Sequence, residues 1–271
     1  MRNFVILFLA ILLIGGIAYI IFPHTMPGDM TSPAGYDSGE RKAVYLARAG
    51  AMKMLAELAN DANSYDSLNE DWNRDKDNPK ELKLGKDPVF YGASDGTGNL
   101  NLNSPFLRKE HLVRLGMDIA LALSIIDYKD KKGEKGFEFP EELFLVKGMN
   151  YAIYSKIKPY VTIYAVAHSK VNINTANKAV LQVLIEDDEL VLDVLKYRKG
   201  PDGEEGTSDD GIFKGEEDFR KFQGLDPASF SVRSSLFRIW AWSSFSEDNQ
   251  ARRTIDAVIT RSGKIHYWKE Y

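Results

Sequence analysis

The sequence predicts an α+β protein: an N-terminal transmembrane helix, a second long helix, a stretch of helical units and a closing antiparallel sheet. Three observations point there. Phe4 to Phe22 is 19 residues without a charge, set between Arg2 and Pro23. Residues 41–60 space their apolar side chains as a helix does. Residues 236–271 alternate apolar and polar side chains as strands do.

A helix over Phe4–Phe22 spans roughly 28 Å at ~1.5 Å per residue, close to the ~30 Å hydrocarbon thickness of a bilayer. A cleavable signal peptide is the rival reading, because Gly16-Ile17-Ala18 offers small residues for cutting. It would leave Tyr19-Ile20-Ile21-Phe22 as an exposed apolar start, so a retained single span is preferred. Arg2 then marks the cytoplasmic side, and the rest of the chain lies outside the cytoplasm. The formal charge of −4 and a pI near 5.7 argue against a protein whose main partner is a phosphate backbone. The absence of cysteine excludes disulfides, thiol catalysis and iron–sulfur clusters.

Residues 23–38 are rich in proline and glycine and read as a linker. The helix that follows carries Val44, Ala47, Ala51, Leu55 and Leu58 on one stripe. That stripe packs on its own domain, and its exposed part is the candidate contact with partner helices. Residues 61–98 are polar and turn-rich, and Gly92, Gly96 and Gly98 read as a turn, since no Lys follows in phosphate-loop spacing.

From residue 99 the chain repeats itself. Asn101-Leu102-Asn103-Ser104 matches Asn172-Ile173-Asn174-Thr175 at an offset of 71, and Asp127-Tyr128-Lys129 matches Lys196-Tyr197-Arg198 at 69. Gly148-Met149-Asn150 then matches Gly224-Leu225-Asp226, and Tyr160–Ala165 matches Leu236–Ala241, both at 76. Each copy reads as strand, capped helix, second helix, loop, helix, Gly turn, helix and strand, with Asn174 or Thr175 as a helix cap in the second. The offset changes at a loop that the second copy extends with an acidic insertion. There Asp202, Glu204, Glu205, Asp209 and Asp210 occur within nine residues with no basic residue among them. Such a loop either splays into solvent or gathers around a hard divalent cation. Gly203, Gly206 and Gly211 allow the curvature Ca²⁺ would need, although the spacing is not that of an EF-hand.

No catalytic constellation is present. His24, His111, His168 and His266 are scattered, and neither a Gly-x-Ser-x-Gly elbow nor a zinc-protease helix occurs. Glu141-Glu142 sits where a helix dipole favours acids, so an enzyme is not expected. The turn Leu145–Met149 resembles a helix-hairpin-helix, with Lys147, Lys156 and Lys158 nearby. Duplex DNA binding by a membrane-tethered receptor is therefore the alternative function, and a plain helix corner is the alternative structure.

Taken together, "YLARAGAMKMLAEL", "YDSLNEDW", "NLN", "IIDYKD", "PEELFLVKGM", "IKPYVTIYA", "KVNINTANKAVL" and a β-rich tail ending "YWKEY" resemble the K minor pseudopilins of type II secretion. The resemblance runs from about residue 40 to the end. It implies a pilin-like α/β scaffold with a large inserted SAM-like helical domain. The implied segments are 1–22 for the cytoplasmic tip and transmembrane helix, 23–38 for the linker and 39–105 for the amphipathic helix and the start of the scaffold. Residues 106–165 would be the inserted domain, and 166–271 a second helical unit with the acidic loop and the sheet. It further implies a non-enzymatic role at the pseudopilus tip, inner-membrane anchoring with a periplasmic C-terminal domain, and no nucleic acid. The implied partners are the I and J minor pseudopilins and the inner-membrane platform, and the implied cofactor is calcium. One departure is Asn3, which stands where the family has Gly before prepilin cleavage.

Overall fold

A computed structural model describes residues 38–164, 170–244 and 252–271. The apolar segment Phe4–Phe22 and nearly all of the linker lie outside the described residues. Among those described, no helix is long and apolar enough to cross a membrane.

Helix α1 (Ser38–Asn60) lies on an antiparallel sheet. Among the described residues the sheet has five strands in the order β1 (Lys80–Leu84), β2 (Asp87–Asp95), β7 (Leu236–Ser244), β8 (Arg252–Thr260), β9 (Ile265–Glu270). The three C-terminal strands fall where the alternation places them, turned at Gly263 with φ +90°. The hairpin β1–β2 is new relative to the sequence reading. Its strands are joined by Gly85-Lys86, and Gly85 adopts φ +69°, which only glycine takes without strain.

Period two divides the sheet. Tyr91, Ala93, Phe237, Ile239, Ala241, Ile255, Ala257 and Ile259 face α1 and form one core with Ala47, Ala51, Met54 and Leu58. The approach is close. A Cβ added at Gly50 would stand 2.6 Å from Val89 and 3.1 Å from Ala241. On the other face Phe90 stacks on Trp242 at 4.2 Å, and Arg238 grips Asp256 through two hydrogen bonds of 2.8 and 2.6 Å.

β2 and β7 are hydrogen-bonded neighbours, from Val89↔Ser243 to Asp95↔Phe237. Everything from residue 96 to 235 is inserted between them. The insertion comprises two units, each with its own core. The first runs β3 (Leu100–Asn101), α2 (Lys109–Arg114), α3 (Ile119–Lys132), a 3₁₀ segment Pro140–Leu145, α4 (Tyr151–Ile157) and β4 (Val161–Thr162). The second runs β5 (Val171–Asn172), α5 (Lys178–Ile185), α6 (Asp188–Arg198), a 3₁₀ segment Glu216–Lys221 and β6 (Phe230–Ser231). In each, first and last strands pair in parallel.

The internal match holds at atomic detail. Asn103 clasps the backbone of Phe137 with its amide and accepts from the Phe137 N–H, and Asn174 does the same to Phe213. Tyr128 stacks on Phe137 as Tyr197 packs on Phe213. Gly148 and Gly224 both take left-handed φ, where an added Cβ would meet Leu121 and Leu190 respectively.

Three expectations are corrected. Asn177, not Asn174 or Thr175, caps α5 by accepting from Val180 N–H, because Asn174 is committed to Phe213. β4 corresponds to β6 rather than to Leu236–Ala241, which belongs to the large sheet. The second unit also lacks a helix after its Gly turn. There Asp226 instead accepts from the Ala228 N–H and the Ser229 hydroxyl, making a turn.

Candidate functional site: helix face, acidic loop and polar junction

The apolar stripe of α1 divides between core and rim. Ala47, Ala51 and Leu58 are at most 1% exposed and belong to the sheet's own core. Val44 and Leu55 are half-buried along its edge. The buried line runs Ala43, Ala47, Gly50, Ala51, Met54 and Leu58, rotated slightly from the one read in the sequence. The free apolar surface of the helix is carried by Tyr45, 60% exposed, and Met52, 36% exposed, two turns apart on one side. Arg48 lies between them, 5.4 Å from the Tyr45 ring centroid, and binds Glu270 through two 2.8 Å bonds.

In the acidic loop the carboxylates serve several different partners. The Asp202 N–H donates to Asp209 Oδ2, the Glu204 N–H to Asp202 Oδ1 and the Gly206 N–H to Asp210 Oδ2. The Thr207 hydroxyl meets Asp209 Oδ1 at 2.7 Å and Asp210 Oδ1 at 3.2 Å. These bonds, led by that from Thr207, hold the Asp209 carboxyl below the usual range. Glu205 turns inward, its Oε1 2.7 Å from Nη2 of Arg198. Arg198 is buried and donates through Nη1 to the carbonyls of Ile173 and Ala176. Burial pulls the Arg198 pKa down. Nη2 makes no hydrogen bond, so Glu205 acts on Arg198 chiefly as a counter-charge. The donor set is the hard-oxygen set Ca²⁺ prefers. Among the described residues, however, no three His, Cys, Asp or Glu side chains are grouped as a metal ion requires.

A third cluster went unread in the sequence. Where the sheet meets the second unit, Asp95 accepts from the Thr97 N–H and from the hydroxyls of Thr175 and Ser234. Beside it Asp66, fully buried, accepts from the Ser234 N–H and from Arg261, and Asn172 donates to the Asp66 carbonyl and to Ser234. Arg261 also reaches Asp61. Thus Asp66 has a cation and Asp95 has hydroxyls and an amide. Burial pushes the Asp95 carboxyl up to about 6. Asp66, Asn172 and Thr175 lie in stretches the sequence singled out for other reasons, and nothing in residue spacing links them to one another or to Asp95.

A helix laid on an antiparallel sheet, with helical units inserted between two neighbouring strands, is an architecture already seen in a solved assembly. The crystal structure of the GspK-GspI-GspJ complex from the enterotoxigenic Escherichia coli type 2 secretion system contains a chain with this fold. The likeness has a TM-score of 0.58 at 15% identity and covers 85% of this chain and 96% of that one. No family profile matches the sequence, and no curated protein matches it.

Proposed function

We propose that the protein is a minor pseudopilin of type II secretion: a non-enzymatic component at the pseudopilus tip that supports protein transport across the outer membrane. The observation that carries this is the insertion of residues 96–235 between β2 and β7 of a helix-backed sheet, a fold shared over 85% of the chain with a member of a pseudopilin complex. The motifs from "YLARAGAMKMLAEL" to "YWKEY" support the same reading independently. The apolar Phe4–Phe22 would hold the chain in the inner membrane, with the body in the periplasm, until the I- and J-type partners and the inner-membrane platform engage it. Its two helical units would cap the growing end by bulk.

The partner contact is assigned to the rim of α1. Ala51 is unsuitable as a probe, since a charge there would sit inside the core. Tyr45→Glu combined with Met52→Glu leaves the core untouched and is expected to cut recovery of a complex with I- and J-type pseudopilins at least about tenfold, the effect of losing ~1.4 kcal/mol of contact. Unchanged recovery, with an unaltered circular-dichroism spectrum, would remove α1 from the interface. Calcium belongs to the same reading only as a ligand the loop would gather around: Asp202, Glu204, Asp209 and Asp210, which are not grouped for a metal ion in the fold described, would have to draw together to hold it, and it would supply neutralising charge to the loop.

A further inference from the structure

The two helical units share a backbone plan but not a surface. In the first, the Gly148 turn lies between the 3₁₀ segment Pro140–Leu145 and α4, and Leu145 and Tyr151 stand 68% and 75% exposed on its two sides. Phe144 beside them is 41% exposed and rests its ring 4.8 Å from that of Tyr154. The matching positions in the second unit, 76 residues on, hold Arg220, Lys221 and Pro227. The fold of such a unit therefore does not require apolar side chains there. Lys147 sits within the turn, and Lys158 follows Tyr151 two helical turns along the same face. Among the described residues neither lysine forms an ion pair, and the Lys158 ammonium lies 5.7 Å from the Tyr154 ring centroid. Glu141 shares a cavity wall with Lys158.

We propose that this turn is a peripheral membrane contact. Leu145 and Tyr151 enter the interfacial layer of an anionic bilayer, while Lys147 and Lys158 meet its headgroups. Two features choose a lipid surface over a peptide. The apolar side chains stand out from a turn instead of lining a groove, and neither lysine is held in an ion pair within the fold, which leaves both free to meet an anionic surface. The chain outside the described residues also supplies proximity. Its apolar stretch Phe4–Phe22 reads as a membrane anchor, and the linker of residues 23–38 spans at most ~55 Å when extended. The setting rests on the anchored-pseudopilin reading, whereas the contact itself can be tested without it. In that setting the turn rests the body on the membrane until assembly lifts it away.

Residues 39–271 form a compact unit with their own hydrophobic cores, so the body can be assayed without the apolar segment. The measurement is co-sedimentation with phosphatidylglycerol–phosphatidylethanolamine vesicles, compared with phosphatidylcholine alone. Binding to the anionic vesicles, released by salt, is expected. Leu145→Ser with Tyr151→Ser should abolish it, Lys147→Glu should weaken it about tenfold, and Lys221→Ala in the second unit should leave it unchanged. No sedimentation with anionic vesicles, or equal sedimentation of the double variant at an unchanged melting temperature, overturns the proposal. So does a double variant that loses I- and J-type partners in place of vesicles, which would make the turn a protein interface. Loss of partner recovery through Tyr45 and Met52 is a separate outcome and bears only on the proposed function.

Discussion

Asp95 and Asp66 lie side by side at the end of the sheet, yet only Asp66 contacts an arginine. A carboxylate held by hydroxyls and one amide in a half-buried site is easier to protonate than the same group in water. The folded protein therefore binds a proton at Asp95 more tightly than the unfolded chain does. Its contribution to stability is fully present below about pH 4 and is lost as the pH rises toward 6, the folded value. Two pH units correspond to at most about 3 kcal/mol. Asp95→Asn, which mimics the protonated form, should raise the melting temperature at pH 7.5 and change it little at pH 4.5. Equal effects at both pH values would show that Asp95 titrates normally. Nothing in the residues around Asp95 announces this behaviour, because Thr175 and Ser234 reach it from 80 and more positions away.

At the scale of elements, α1 shows what a pattern does and does not specify. Helical spacing locates the helix and its apolar side, and the small residues Ala47, Gly50 and Ala51 let it lie close on the sheet. Gly50 is a close approach, pressed against Val89 of β2 and Ala241 of β7. Gly50→Val should destabilise the body by about 2–3 kcal/mol through overpacking, despite valine's better helix propensity, as a urea-unfolding midpoint would record. An unchanged midpoint would mean that α1 can move off the sheet at little cost. The hairpin β1–β2 was hidden for a different reason. Lys80, Glu81 and Lys83 make β1 an edge strand that looks like a polar loop, and charged edges are how sheets avoid pairing with other chains. The signal that was available was Gly85-Lys86 between alternating segments. Gly92, read as part of a turn, lies within β2 because Trp240 covers it from the neighbouring strand, 2.5 Å from where its Cβ would be.

For the whole molecule, the acidic loop gives the remaining prediction. If Asp202, Glu204, Asp209 and Asp210 hold calcium, the body should melt several degrees lower in chelator than in calcium, and a variant lacking residues 202–210 should show no such difference. Identical melting of the intact body under both conditions removes a structural calcium site. Glu205 stands apart from that test, since it answers the buried charge of Arg198 with or without a metal.

The α+β class, the three C-terminal strands, the long helix and the two like-built helical units are all legible in the order of residues alone. Each of these depends on periodicity or on short-range turn and cap chemistry, which neighbouring residues encode. Three-dimensional packing is what pairs β2 with β7 across the whole insertion, sets Asn174 to clasp Phe213 instead of capping a helix, and turns Glu205 toward a buried arginine. Those outcomes depend on which distant groups meet once the cores close, and no local pattern carries that information.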